Sequence, residues 1–275
     1  MKHFIITRFN LKNENWKSNN SNTPKGISES WLTNRLQLFQ KFCLPSVKNQ
    51  SNQNFIWIIA IDIDTPIFFK NKINEILKNI ENIKLIYVDG FNGLSSELNT
   101  KIQSLLNPED HFIITTRLDN DDIIHRDFVK TIQELYTPSH NTIIDLKNGY
   151  QLSLNNSKDI RYLGYAFNPF ISLIEASDNI KTVLFKEHIS WRFNCEKHII
   201  YITKRLWIQL IHSKNQANTT TRYLKRMRTF DSEEFGINIH TTTYSNFENV
   251  IYNFKILPYR LYGAIFMFFK LRINK

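Results

Sequence analysis

Glycine and proline are scarce, seven of each in 275 residues, so the chain has little material for long flexible linkers. Cysteine is scarcer still. Cys43 and Cys195 lie far apart and form no CxxC pair, which signals neither a disulfide framework nor a zinc site. Cys43 sits in an apolar run, Leu38 to Leu44, and reads as a buried free thiol suited to a reducing compartment. No stretch reaches the roughly 20 apolar residues a membrane-crossing helix needs. The N-terminal run is short and broken by Arg8, unlike a signal peptide, so the expected location is the cytoplasm, with contact at the inner face of the cell membrane left open. Acidic residues are also outnumbered, 25 against 35 basic ones, for a formal charge of +10. That excess favours an anionic partner such as a nucleotide, a nucleic acid or a membrane surface. The abundance of Asn, Ile and Lys equally suits a solvated lysine surface with no partner.

With 42% apolar and 22% charged residues, the composition is that of a folded globular chain, and its length suits one large domain. Short apolar β-branched runs at 3–7, 55–61, 84–88, 111–116 and 142–146 read as strands. Helical patterns lie between them: from Ser28, with Pro45 ending or bending the helix; after Pro66, with Ile73, Ile76, Leu77 and Ile80 on one face; at 94–106; and at 123–135. Strands alternating with helices predict an α/β fold, a mainly parallel sheet with helices on both faces. This half is placed at 1–146. A smaller mixed α+β half follows at 147–250, with strand-like runs at 150–154, 162–166, 182–185 and 198–202, a helix at 205–212 and a polar loop at 214–221. A basic amphipathic tail occupies 251–275. Asn10–Gly26 reads as a loop.

The central chemical signal is the stretch Thr115-Thr116-Arg117-Leu118-Asp119-Asn120-Asp121-Asp122. A buried strand delivers three carboxylates within four positions to its carboxyl end, the edge where open parallel sheets bind ligands. A divalent cation relieves such crowding, and Mg²⁺ or Mn²⁺ takes one or two carboxylates together with phosphate oxygens. Asp119 and Asp121 have the D-x-D spacing that puts two side chains on one side of an extended segment. The plain alternative is that Asp121 or Asp122 caps the helix expected from Ile123. A nucleotidyltransferase could share this fold, but it ordinarily carries a Gly-rich loop after the first strand, and Arg8–Gly26 holds only Gly26. A basic nucleic-acid-binding protein is the non-enzymatic alternative, although no motif of that class is present.

The same stretch, together with Thr7-Arg8-Phe9-Asn10, Trp31-Leu32 with Arg35 and Leu38-Phe39, Leu44-Pro45-Ser46 with Gln50, Trp57 through Asp62 with Thr65-Pro66, and Trp207-Ile208-Gln209 with Ile211-His212 and Asn215, resembles the putative rhamnosyltransferase family. The matches run from about residue 4 to 215. The family's glycine after His212 is Ser213 here. The resemblance implies a GT-A-like, Rossmann-type glycosyltransferase that uses Mn²⁺ or Mg²⁺ and a nucleoside-diphosphate sugar (dTDP-, UDP- or GDP-linked). Its acceptor would be a glycan or lipid-linked molecule of cell-surface polysaccharide synthesis, and nucleic acid would not be a partner. It further implies Asp119 and Asp121 as metal ligands with a late histidine as the third. Of His188, His198, His212 and His240, His212 carries the match. Asp62, ending the second strand, becomes the nucleoside-binding candidate, with Asp89 a weaker one.

Arg8 ends the first strand at the ligand edge, where a guanidinium can fork onto phosphate; Arg117 and Asn120 share that edge. Arg35 shares a helix face with Trp31 and reads as a buried ion-pair partner. An inverting transfer needs a general base for the acceptor hydroxyl, and Glu187, His188 and Asp178 are the candidates. Arg222–Arg228 and the tail mix basic and aromatic residues in a pattern suited to an anionic membrane surface.

Overall fold

A computed structural model describes residues 1–12, 17–18, 21–24, 28–154, 159–212 and 223–262. The strands are β1 (Lys2–Arg8), β2 (Lys17–Ser18), β3 (Ser21–Pro24), β4 (Ile56–Asp62), β5 (Ile83–Val88), β6 (Phe112–Arg117), β7 (Ile123–Ile124), β8 (Thr142–Leu146), β9 (Asn148–Ser153), β10 (Ile160–Gly164), β11 (Ser172–Ala176), β12 (Lys197–Tyr201) and β13 (Trp207–Ile211). The helices are α1 (Glu29–Leu38), α2 (Leu44–Lys48), α3 (Ile67–Leu77), α4 (Gly90–Gln103), α5 (Phe128–Glu134) and α6 (Asn246–Lys255).

Seven strands form the main sheet in the order β12-β8-β11-β6-β1-β4-β5. Only β11 runs against its neighbours; the pairs β6–β1, β1–β4, β4–β5 and β12–β8 are parallel. The α/β fold expected of the apolar runs is present, because a strand covered on both faces is apolar at every position. The two faces separate cleanly by residue parity. Ile5, Trp57, Ile59 and Ile61 pack with residues of α1, α3 and α5 on one side. Phe4, Ile6, Ile58 and Ala60 pack with Leu94, Leu98 and Ile102 of α4 on the other.

A second sheet, β10-β9-β13-β7, packs beside the first. The two sheets alternate along the chain: β7 leaves the first half for the second sheet, while β11 and β12 return from beyond residue 146 to the first. Three elements differ from the sequence expectation. Residues 205–212 are not helical; Trp207–Ile211 is a fully buried strand held between β9 and β7. The helix expected at 123–135 begins only at Phe128, because Ile123 and Ile124 pair with Ile208 and Trp207. Residues 183–185 form a 3-10 turn and not a strand. Within 205–212 the apolar run Leu206, Trp207, Ile208, Leu210 and Ile211 is short, so its periodicity does not separate a buried strand from a helix, and pairing partners decide it.

Pro45 does not end the first helix. The chain passes from α1 through a π-helical turn, Phe39–Cys43, into α2, with Pro45 in the first turn of α2. The wider turn accommodates a residue without an N–H. The expected loop 10–26 contains the paired strands β2 and β3. The polar loop at 214–221 and the turn at Ser213 lie outside the described residues. No helix among the described residues is long and apolar enough to cross a membrane.

Gly149 of β9 lies face-on to Trp207 of β13: a Cβ there would sit 2.1 Å from the indole. Gly149→Ala is expected to destabilise the fold by about 1–3 kcal/mol through overpacking. Gly93→Ala within α4 is the control, since the nearest atom, on Val88 of β5, would be 3.5 Å away, and it is expected to be neutral or stabilising by up to about 1 kcal/mol. Urea unfolding midpoints of the two variants test the contrast.

Candidate functional site

The parallel strands β1, β4 and β6 all end on one edge of the main sheet, and their last residues are Arg8, Asp62 and Arg117. The acidic stretch follows β6 directly and leads into β7, so it bridges the two sheets. Each of its carboxylates meets a different fate.

Asp119 keeps the most solvent contact, with its side chain 34% exposed. The Arg117 guanidinium donates to it in a fork, Nε to Oδ1 at 3.3 Å and Nη2 to Oδ2 at 3.0 Å. Arg8 approaches Oδ1 at 4.0 Å. Burial opposes its charge, but Arg117, Arg8 and Arg35 together hold its carboxyl down to about 2. Asp121 is buried. Its Oδ2 lies 2.5 Å from Arg35 Nη1 and 2.9 Å from His212 Nε2. Asp122 is buried as well and accepts the Leu210 N–H at 2.9 Å. Burial, then Asp121 and Asp119, push its carboxyl well above the ordinary carboxylate range. It caps no helix. Asn120 donates to the Phe9 carbonyl and accepts from Arg35 Nη1 at 3.2 Å.

Arg35 stands outside the residues proposed from sequence as ligand-binding, yet it is the buried ion-pair partner anticipated there. It spans Asn120 and Asp121 and lies 5.0 Å from the Trp31 ring centroid. The readable signal was an arginine on the apolar face of α1 one turn after a tryptophan, since a buried guanidinium requires a carboxylate.

Asp62 is fully buried, and its carboxylate accepts three backbone N–H groups: Lys12 at 2.8 Å, Asp64 at 3.0 Å and Gly90 at 3.3 Å. In this arrangement Asp62 organises the loops around it, with both carboxylate oxygens engaged by backbone amides. Gly90 has φ +59°, a conformation side-chain-bearing residues rarely adopt, and so brings its amide onto that carboxylate. Asp89 is exposed and pairs with Lys12 Nζ at 2.6 Å, which also holds Asp64 at 2.6 Å.

Glu187 and His188 arrive beside the cluster from the second half of the chain. Glu187 is 71% exposed and lies 3.7 Å from Arg117 Nη1. His188 Nδ1 meets the Phe167 carbonyl. A carbonyl only accepts, so Nδ1 carries the proton and Nε2 the lone pair. Burial first, and Arg117 also, push the imidazole toward neutrality. Asp178 is not part of the site. It follows β11, which runs antiparallel to β6 with Ala176 opposite Phe112, so it lies at the other edge of the sheet.

Of the expected metal set, the structure joins Asp121 to His212 but turns Asp119 onto Arg117. Among the described residues no group of three His, Cys, Asp or Glu is arranged to hold a metal. Of the other histidines, His198 pairs with Asp145 at 3.1 Å and His240 is exposed.

Residues 4–223 match the family described as "Putative rhamnosyl transferase". No curated protein matches the chain. Among solved structures, S. aureus TarS 1-349 is 14% identical with a TM-score of 0.43, over 76% of this chain and 60% of that one. Its complex with UDP-GlcNAc gives 14%, 0.44, 81% and 62%, and its complex with UDP gives 14%, 0.44, 77% and 61%. The chain thus spans about three fifths of the TarS chains it resembles.

Removing Arg35 takes away the guanidinium that faces the buried Asp121 carboxylate and leaves His212 beside it at 2.9 Å. Arg35→Met is expected to cost about 3–5 kcal/mol in urea unfolding. Adding Asp121→Asn should recover part of that loss, because the stranded charge disappears. Equal losses in the single and double variants would show that the pair is energetically idle.

Proposed function

The chain belongs to the putative rhamnosyl transferase family, and from that membership we propose that it transfers a sugar, rhamnose on the family's description, from a nucleoside diphosphate to a glycan or lipid-linked acceptor in polysaccharide synthesis. The observation that carries the reading is the pair of guanidiniums, Arg8 and Arg117, bracketing the partly open Asp119 at the carboxyl edge of the sheet. Such a pair suits a diphosphate: each arginine offers a planar fork of donors to phosphate oxygens. The Asp119 carboxylate holds both forks in place until a ligand arrives.

Asp121 and His212 supply one oxygen and one imidazole nitrogen within hydrogen-bond distance of each other, a donor set that Mn²⁺ or Mg²⁺ accepts when phosphate oxygens and water complete the shell. A bound ion would supply Lewis-acid stabilisation of charge on the leaving diphosphate. Asp119 is the remaining family candidate for this shell, and it would have to exchange Arg117 for the ion. Asp62 and Asp89 act through the Lys12 loop that walls the β4–β5 side of the edge.

Glu187 and His188 are the candidate proton acceptors for the acceptor hydroxyl. In His188 the Phe167 carbonyl fixes the tautomer that leaves Nε2 basic, and near-neutral pH leaves the ring uncharged. Glu187 is solvent-facing and lies beside the Arg117 guanidinium. A cytoplasmic position with peripheral membrane contact through the 251–275 tail belongs to the same reading, as does the division into a donor half (1–146) and an acceptor half (147–250).

A thermal-shift series with UDP, GDP and dTDP, each with and without Mn²⁺, tests the proposal. One nucleotide is expected to raise the melting temperature by about 5 °C near a hundredfold excess over its dissociation constant. Arg8→Ala and Arg117→Ala should abolish the rise in both conditions. Asp121→Asn and His212→Ala should abolish only the Mn²⁺-dependent part. Asp119→Ala and Asp121→Ala should eliminate sugar transfer while the fold persists. No shift with any of the three nucleotides would reject the reading.

A further inference from the structure

Helix α6 begins with a capping box: Ser245 accepts the Glu248 N–H, and Glu248 accepts the Ser245 N–H. The box satisfies two N–H groups at the helix start, and α6 packs on one side only. Its inner side is tied to the second sheet by a buried charge network. Asp159 accepts from Arg161 at 3.1 Å, pairs with Arg226 at 3.3 Å and accepts the Tyr244 hydroxyl at 2.7 Å. Arg226 lies 3.8 Å from the Tyr252 ring centroid, and its backbone N–H donates to Asn253 at 3.0 Å. Ile256 is buried on the same side.

The anchoring settles which face is left over. Phe247, Val250, Ile251, Phe254, Leu257 and Leu261 are 75%, 66%, 36%, 75%, 41% and 56% exposed. Their spacing of three and four puts them on one stripe, continued past α6 by the helical turn at 257–262. An aligned stripe of exposed Phe, Ile, Val and Leu is unlike the single apolar residues that dot ordinary surfaces. Cations flank it: Lys255 and Arg260 are exposed. Beyond Glu248 the sequence carries Lys255, Arg260, Lys270, Arg272 and Lys275 and not one Asp or Glu.

We propose that this stripe is the surface by which the protein lies on an anionic lipid bilayer, with the apolar side chains entering the headgroup boundary and Lys255 and Arg260 meeting lipid phosphates. The chemistry of the face selects this occupant: apolar rings and branched chains in the middle, positive charge at the edges, and an acid-free continuation. The anchored inner side fixes the stripe in orientation relative to the second sheet, so docking would hold the whole molecule in one pose on the bilayer. The inference deepens the proposed use of a membrane-presented acceptor and rests on that reading for its purpose, though not for its test.

Flotation of the full chain with phosphatidylglycerol–phosphatidylcholine vesicles, against phosphatidylcholine vesicles alone, decides it without any sugar donor. Wild type is expected to float with the anionic vesicles and to be released by high salt. Phe247→Ser with Phe254→Ser should weaken binding at least about tenfold, and Lys255→Gln with Arg260→Gln about twentyfold. Both pairs are exposed, so circular dichroism and the melting temperature should match wild type, and the nucleotide-induced thermal shift should be unchanged. The proposal is overturned if wild type stays unbound with anionic vesicles or if the double variants float equally well. It is also overturned if wild type is a dimer that the phenylalanine variant converts to monomer, because a second copy would then cover the stripe.

Discussion

Three aspartates in four consecutive positions can share one buried corner only if their charge is taken up, and here the protein takes it up with its own cations. Asp121 lies between Arg35 of α1 and His212 at the end of β13. Asp119 lies in the fork of Arg117, with Arg8 of β1 behind it. Asp122 is buried, its carboxyl pushed upward by burial and by its two acidic neighbours, and it accepts the Leu210 amide. These contacts do more than balance charge. They join α1, β1, β6 and β13, so the corner where the second sheet meets the first is the acidic stretch itself. A buried ion pair contributes modest net stability but large penalties for mispairing, which suits a junction that must form one way.

The same arrangement makes the site receptive to anions. Two arginines at the edge of a parallel sheet are held ready by a carboxylate that remains ionised throughout the physiological range. Under the proposed function, an incoming diphosphate would offer those arginines a second, richer set of acceptors. Asp121 and His212 sit one step deeper, with side chains 9% and 7% exposed. Along the chain, the side chains that face these carboxylates come from positions 8, 35, 117 and 212, so no local segment could have built the corner.

Glu187 and His188 reach the corner by a different route. Val183 donates to the Thr115 hydroxyl at 2.9 Å, which lays the 183–188 segment across the main sheet and brings it to Arg117. The Trp191 indole N–H on the Val183 carbonyl at 3.0 Å steadies the same segment from behind. The second half of the chain therefore contributes side chains to the carboxyl edge of the main sheet as well as its own sheet.

Strands β1, β4, β5, β6 and β8, the helices between them and the position of the acidic stretch at the end of β6 were all legible in the sequence. A doubly covered parallel strand needs a continuous apolar run, and that requirement is written locally. The likeness carried by Thr7-Arg8, Trp31, Arg35 and Trp207–His212 was local as well. What only the tertiary structure decided was partnership. Whether Trp207–Ile211 is strand or helix depends on β7 and β9. Whether Asp178 or Glu187 lies near Arg117 depends on the reversed direction of β11. Whether Asp62 faces a ligand or three amides depends on the path of Lys12 and Gly90. Backbone periodicity records which side of an element is buried but not which distant residue buries it, and Asp122 and Leu210 meet across 88 positions of chain.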